Sequence, residues 1–390
     1  MNKQIPHIYI FLWIVYSLQG SLYSSGGLLS RLLLAVLVAV SFFFYCYANI
    51  KFKLPTAMRI LSVLVLAWSF YGVSPIITGT GTTAFPVLSY SYLRAIYISI
   101  LPIFSFYVFF RKRLLNETDI KRWFFVFLVT AIVNYYRYQS EALLNSSDEE
   151  ITNNVGYAFL SLLPLLPLFG KKPVIQYGLL ASCFYFILVG FKRGAILAGI
   201  LCTIWMISRT LKDVQLGGRK HSLHRLVLVL LVLISISLGV LFVRDLLVSS
   251  DYFVYRLEST LEGSSSNRDL LYSFFFNHFI HETNPIKFLF GNGAYGTIQL
   301  YFNFAHNDWL EIAIDNGLVF LVLYAAYWIS LISMLLKGKR GSVATLMLGM
   351  FIIIYFIRTT ISMSYNSISL YAACAFGYSL ANYENKRSKE

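Results

Sequence analysis

Apolar blocks of about 17 to 22 residues recur along the whole 390-residue chain, and no other feature narrows its possible folds so far. As a helix rising 1.5 Å per residue, each block is long enough to cross roughly 30 Å of hydrocarbon. Lipid offers backbone N–H and C=O groups no partner, so such blocks must satisfy their hydrogen bonds internally, which predicts an all-α polytopic membrane protein. Bulk composition agrees: the chain is 57% hydrophobic, 17% aromatic and only 13% charged, with a mean hydropathy of +0.65. Soluble domains are far more polar.

Hydropathy read together with loop charge predicts about 12 spans, near 5–22, 31–49, 58–77, 94–110, 121–138, 156–170, 173–190, 194–211, 225–243, 306–336, 342–361 and 365–383. The first block follows Lys3 without a small-residue cleavage site, so it reads as a retained span and not a signal peptide. Lys/Arg clusters at Lys51/Lys53/Arg59, Arg111–Arg113, Lys171/Lys172, Lys212–Arg225, Lys337–Arg340 and Lys386–Lys389 fall in every second connection. By the positive-inside rule both termini are expected in the cytoplasm. The whole chain, 1–390, reads as a single membrane domain without internal repeats.

The net charge of +14 raises the question of nucleic acid. The basic residues lie between apolar blocks and form no stripe interleaved with aromatics, so no nucleic-acid partner is expected. Cys46, Cys183, Cys202 and Cys374 all lie within predicted spans, with no CxxC pair and no metal spacing. They read as small apolar packing residues. Under the predicted topology ten of the 32 basic residues are external, and eight of those ten are arginine, among them Arg193, Arg244, Arg268 and Arg358. Orientation needs only positive charge; a surplus of guanidinium points to bidentate recognition of phosphate or carboxylate.

Two external connections are long. Gln139–Val155 carries Glu141, Asp148, Glu149 and Glu150 and reads as a solvated acidic loop. The excursion 244–305 differs in kind, because its apolar stretches Leu270–Phe276 and Lys287–Phe290 predict short amphipathic helices at a membrane surface. Within it, Gly291-Asn292-Gly293-Ala294-Tyr295-Gly296 matches GxGxxG but has no βαβ unit around it, which excludes a dinucleotide site. Its glycines fit either a tight turn or a close backbone approach to a ligand.

His306-Asn307-Asp308-Trp309-Leu310-Glu311 opens a predicted long helix through Asp315, Asn316 and Gly317. On such a helix His306 and Gly317 share one face, and Asp308, Glu311 and Asp315 another. Four acid or imidazole groups at the mouth of a span are costly unless they face water or a site, so the cluster is a candidate site. Two arginines stand beside it in the predicted topology. Arg193, in Phe191-Lys192-Arg193-Gly194-Ala195, sits on a short external turn, where snorkelling at the interface is the alternative reading. Arg268, in Ser266-Asn267-Arg268-Asp269, precedes an apolar run, with a solvated loop arginine or an Asp269 partner as the alternative.

At these residues the chain resembles the O-antigen ligase and O-antigen polymerase superfamily of bacterial envelope proteins. The resemblance rests on Lys-Arg-Gly-Ala at 192–195, on Asn-Arg before an apolar run and a Gly-x-Gly turn at 267–293, and on His-Asn-x-x-Leu-Glu with a later glycine at 306–317. It covers the architecture broadly and the motifs from about residue 190 onward. Lys192 departs from the pattern, since relatives often carry a small hydroxyl residue before the arginine.

The resemblance implies a glycosyltransferase of the bacterial cytoplasmic membrane, active on its external face without metal, nucleotide or other cofactor. The implied partners are an undecaprenyl-pyrophosphate-linked oligosaccharide donor, a glycan acceptor that is lipid-linked or lipid A–core, membrane lipids, and a chain-length regulator. Carried over residue by residue, Arg193 and Arg268 resemble the pyrophosphate-facing arginines and His306 the essential histidine. Asp308 and Glu311 are candidates to orient the imidazole or the acceptor, and Trp309 to stack on glycan. Repeat-unit polymerisation is preferred over ligation to lipid A–core. A lipid-linked glycan flippase is the rival from another class, and it predicts charge along a midplane pathway and repeat-related halves, neither of which the sequence has.

Overall fold

The computed structural model describes residues 2–78, 85–145, 154–190, 192–215, 244, 268–339, 341–362 and 365–387. Among these residues the chain is helical and without strands. In chain order the helices are α1 (Ile5–Ser17), α2 (Leu28–Lys51), α3 (Thr56–Thr78), α4 (Phe85–Arg111) and α5 (Glu117–Asn145). α6 (Gly156–Leu162) continues as a 3₁₀ turn (Leu163–Phe169), and α7 (Pro173–Val189) and α8 (Arg193–Gln215) follow. Three short helices, α9 (Arg268–Ile280), α10 (Pro285–Phe290) and α11 (Gly296–Tyr301), precede α12 (Asp308–Lys337), α13 (Val343–Ile361) and α14 (Leu370–Arg387).

Five of these helices, within α2, α3, α4, α12 and α13, are long and apolar enough to cross a membrane. The expected count of about 12 spans is thus met only in this coarser form. The predicted span 225–243 and the first part of the excursion, 245–267, lie outside the described residues. The acidic connection expected from Gln139 starts later, because α5 continues to Asn145 and places Glu141 one turn beyond Arg137, Nε to Oε1 3.6 Å.

α4 is the centre of the bundle: Leu101, Phe104, Phe106, Tyr107 and Phe109 are all fully buried. A helix apolar on every face has to be wrapped by others, and α2, α3 and α14 do the wrapping. Gly377 of α14 lets the two axes close, since a Cβ there would stand 2.6 Å from Phe106 Cβ and 2.9 Å from Tyr107 N. Phe351 of α13 stacks on Phe376 of α14 at 4.0 Å between ring centroids. The outer helices turn large apolar side chains outward, including Phe43, Phe70, Ile329 and Leu336. An apolar exterior of this extent suits lipid and not water. Cys183, Cys202 and Cys374 are buried and none of the four cysteines is paired, consistent with packing roles.

The bundle sorts its charges by end. Arg94 donates to Tyr16 Oη (3.0 Å), and Arg137 lies against Gly20, so the α1–α2 turn, the start of α4 and the end of α5 share one end. At the other end Lys112 lies over the rings of Tyr47 and Phe52. There the basic connections after α2, α4 and α12 lie.

α9 to α11 form a structured layer over the first end, as the apolar stretches in the sequence predicted. α9 buries Leu271 and Phe275 against Ala305 and Ile314 and leaves Leu270, Phe274, Phe276 and Ile280 exposed. α10 starts at Pro285, whose missing N–H costs nothing at a first turn, and Asn284 Oδ1 caps it by accepting from Ile286 N (3.0 Å) and Lys287 N (3.3 Å).

Candidate functional site

α12 is not the continuous helix expected from the sequence. Gly317 takes φ 78°, ψ −176°, so the segment from Asp308 to Asn316 folds back on the remainder. The fold is tight enough for Tyr324 Oη to donate to Asp308 Oδ2 at 2.7 Å across 16 residues, which a straight helix would hold about 24 Å apart. His306 also lies outside the helix, one residue before the N-cap Asn307, with φ 54°. The expectation that His306 and Gly317 share a helical face therefore fails, because neither residue is in helical geometry.

The glycine turn explains the break. A Cβ on Gly317 would stand 2.5 Å from Leu289 O and Phe290 N, and one on Gly291 would collide with the backbone of Asp315 and Asn316. Two backbones thus touch without side chains between them. Asn292 N donates to Ile314 O and Gly293 N to Asp315 O, each at 2.9 Å, using carbonyls that the broken helix leaves without partners. The glycine motif makes a tight turn, Gly296 N donating to Gly293 O at 3.1 Å with Gly291 and Gly293 at positive φ, and the backbone it approaches closely is the chain's own helix.

The three carboxylates do share a face, and all are fully buried. Asp308 Oδ2 also accepts from Tyr365 N (3.1 Å). Glu311 accepts from Thr297 Oγ1 (2.6 Å) and Ala305 N (2.5 Å), and faces the backbone N–H of His306. Asp315 Oδ1 accepts from Thr297 N (3.0 Å), while its Oδ2 has no hydrogen-bond partner among the described residues. Between them, Tyr295, Phe302 and His306 all adopt left-handed φ. Such residues cost about 1–3 kcal/mol each and persist only where the surroundings hold them. Asp315 supplies that hold at Tyr295 and Glu311 at His306, so Glu311 positions the backbone around His306.

Donors converge on the end of α13. Its last carbonyls have no helical partner, and Thr360 O accepts from Tyr272 Oη (3.1 Å) and Asn307 Nδ2 (3.2 Å). Ile361 O accepts from Arg268 Nη1 (2.5 Å), a cation at the negative end of a helix dipole. Tyr272 Oη also lies 3.3 Å from His306 O. Gly194 packs here too, for a Cβ on it would lie 2.5 Å from Ile361 Cδ1, which brings the backbone of its neighbour Arg193 to the same corner. The structure thus gathers Arg268, His306 and the 192–194 turn at one place, where the loop layer meets the bundle.

His306 is half-buried, and its pKa falls below the ordinary 6.5, first by desolvation and then through the charges of Arg268 and Lys192. The imidazole is neutral at pH 7 and available to accept a proton. Lys192 is a residue whose role the sequence missed: read as a departure from a motif, it acts electrostatically on the histidine.

Trp309 donates Nε1–H to Thr359 Oγ1 (3.0 Å) and packs edge-on against Tyr324 at 5.2 Å. Its remaining surface, with Tyr272, Phe276 and Asn307, lines an open groove of about 420 Å³ beside His306. A second residue that sequence reasoning left out is Trp68, whose Nε1–H donates to Asn316 Oδ1 (3.0 Å) and ties α3 to the break in α12. Arg358, buried in the last turn of α13, donates to Ser367 Oγ (2.6 Å) and lies over the Tyr157 ring. Neither a scan against protein-family models nor a search of curated proteins finds a match to this chain.

Proposed function

We propose that the chain is a membrane glycosyltransferase that takes a glycan from an undecaprenyl-pyrophosphate carrier and joins it to an acceptor glycan, in the manner of a repeat-unit polymerase. The observation that carries the reading is the convergence of a neutral, half-buried histidine with Arg268 and the Lys192–Arg193 turn beside an aromatic groove.

In the reaction proposed, an acceptor hydroxyl oxygen attacks the anomeric carbon of the donor sugar. The bond from that carbon to the pyrophosphate oxygen breaks, and the carrier leaves as undecaprenyl pyrophosphate. His306 takes the hydroxyl proton as general base. Arg268 and Arg193 stabilise the charge that develops on the leaving pyrophosphate, for which guanidinium suits better than ammonium. Lys192 adds positive charge to the same corner. Glu311 acts from beneath by fixing the backbone that carries His306, Asp308 ties the start of α12 to Tyr324 and to the backbone of Tyr365, and Trp309 offers aromatic surface for a sugar ring to stack on in the groove.

The test is transfer by the purified full-length chain given defined undecaprenyl-pyrophosphate-linked donors. Product that stays on the lipid carrier and lengthens supports polymerisation; transfer to lipid A–core oligosaccharide supports the ligase branch instead. His306→Ala is expected to abolish transfer while leaving the protein folded. Full activity in that variant would reject the general base, and no transfer to either acceptor by the wild-type chain would reject the reaction.

A further inference from the structure

A cavity lies at the opposite end from His306. It is a recess of about 660 Å³ enclosed by the start of α3, the last turns of α12 with Gly338 and Lys339, Ser342 and the start of α13, and the last turns of α14. We propose that this recess binds the phosphate headgroup of an anionic membrane lipid.

Charge comes first. Lys337 and Lys339 stand on its wall, both exposed, and among the described residues no acidic side chain lines it. The lining is otherwise divided between hydrogen-bonding groups, such as Ser333, Thr345 and Asn382, and apolar ones, Met334 and Leu348. A soluble anion needs only the polar part. A ligand with a charged head and an apolar body uses both.

Position points the same way. α3, α12 and α13 are three of the five helices fit to cross a membrane, and the recess sits at their shared end, which for helices spanning a bilayer is the level of the headgroups. Basic pockets between membrane helices at this depth attract anionic headgroups, each lysine contributing about 1 kcal/mol near a charged surface. The local backbone adds to this. Ser342 caps α13, its Oγ accepting from Thr345 N at 3.2 Å, so the positive end of that helix dipole opens into the lysine-bearing wall. Gly338 keeps the recess clear, since a side chain there would press on Thr345 Oγ1 at 2.8 Å. These groups belong to no part of the transfer site, and the inference stands or falls apart from the proposed reaction.

The experiment is native mass spectrometry of the full-length protein in detergent, titrated separately with phosphatidylglycerol and phosphatidylcholine. One phosphatidylglycerol per chain is expected to stay bound where phosphatidylcholine does not. The double variant Lys337→Gln/Lys339→Gln should weaken that binding by about thirtyfold, from two lysines each lost near a charged surface. Ser333→Trp, which fills the recess from α12, should remove it, and His306→Ala should leave it unchanged. Thermal melting of each variant checks that it is folded. Equal retention of the two lipids, or wild-type binding in both the double variant and Ser333→Trp, would overturn the proposal. Competition with inorganic phosphate and sn-glycerol 1-phosphate separates the sources: the lipid is expected to bind far more tightly. A soluble phosphate matching the lipid's affinity would overturn its assignment as a lipid site.

Discussion

Replacing Gly317 with alanine tests whether the glycine turn and the broken helix form one latch. The substitution meets two separate obstacles. At φ 78°, ψ −176° the residue lies in a region that side-chain-bearing residues rarely occupy, at a cost of about 1–3 kcal/mol. The new Cβ would also stand 2.5 Å from Leu289 O and Phe290 N, where ordinary contact begins at 3.4 Å. Both are backbone atoms and cannot rotate aside, so the 289–290 backbone must retreat by about 1 Å. That retreat breaks the Asn292 N to Ile314 O and Gly293 N to Asp315 O hydrogen bonds, each worth about 1 kcal/mol net. Together these effects put the loss at about 3–5 kcal/mol, concentrated on the latch. Hydrogen–deuterium exchange should therefore rise by roughly a hundredfold or more across 285–301, because each 1.4 kcal/mol is tenfold in an opening equilibrium. The far end of the bundle, around Phe351 and Phe376, should exchange as before. Gly178→Ala is the control: that glycine sits in α7 with open space around it, and alanine there should be neutral or stabilise by up to about 1 kcal/mol. Unchanged exchange at 285–301 in Gly317→Ala would refute the latch.

Three further outcomes are expected. Because burial, Arg268 and Lys192 lower the pKa of His306, transfer should stay active below pH 6.5 and fail only as the imidazole protonates. Lys192→Gln removes one of those charges, so the acid limb of the pH–rate profile should move to higher pH, and an unmoved limb would count against the pairing. Arg268→Lys keeps the charge but loses the fork that meets Ile361 O and is proposed to meet the pyrophosphate. It should lower the single-turnover transfer rate by at least tenfold, and a wild-type rate would dismiss the pyrophosphate contact. Trp68→Phe leaves Asn316 Oδ1 buried without its donor, at a cost of about 1–3 kcal/mol, read as a lowered melting temperature; no change would mean that α3 does not brace the break.

The described part of the excursion, from residue 268, was legible in the sequence because it violates the apolar pattern around it. Leu270–Phe276 predicted a short helix, and α9 spans Arg268–Ile280. Asp308, Glu311 and Asp315 were expected on one face, and they are. Less legible was what that face meets. Spacing marks the three carboxylates as a cluster, but it carries no information on the Thr297, Ala305 and Tyr365 groups that hold them. Glu311, a candidate to orient the imidazole or the acceptor, accepts from the Ala305 N–H just before His306, a contact that spacing does not reveal.

What the sequence determined by itself is the solvent and the class: long apolar blocks allow only helices in hydrocarbon, and charge between the blocks orders their ends. What the tertiary structure alone decided is the geometry of the corner at His306. A helical periodicity read through Gly317 assumes the helix continues, yet glycine permits a conformation that periodicity cannot register. The break follows from contact with Leu289 and Phe290, more than 25 residues earlier in the chain, and that contact turns Asp308 back to Tyr324. Arg268 meets Ile361 across 93 residues for the same reason: unpaired carbonyls at the end of α13 draw whichever donors the fold brings near, and only the fold selects them.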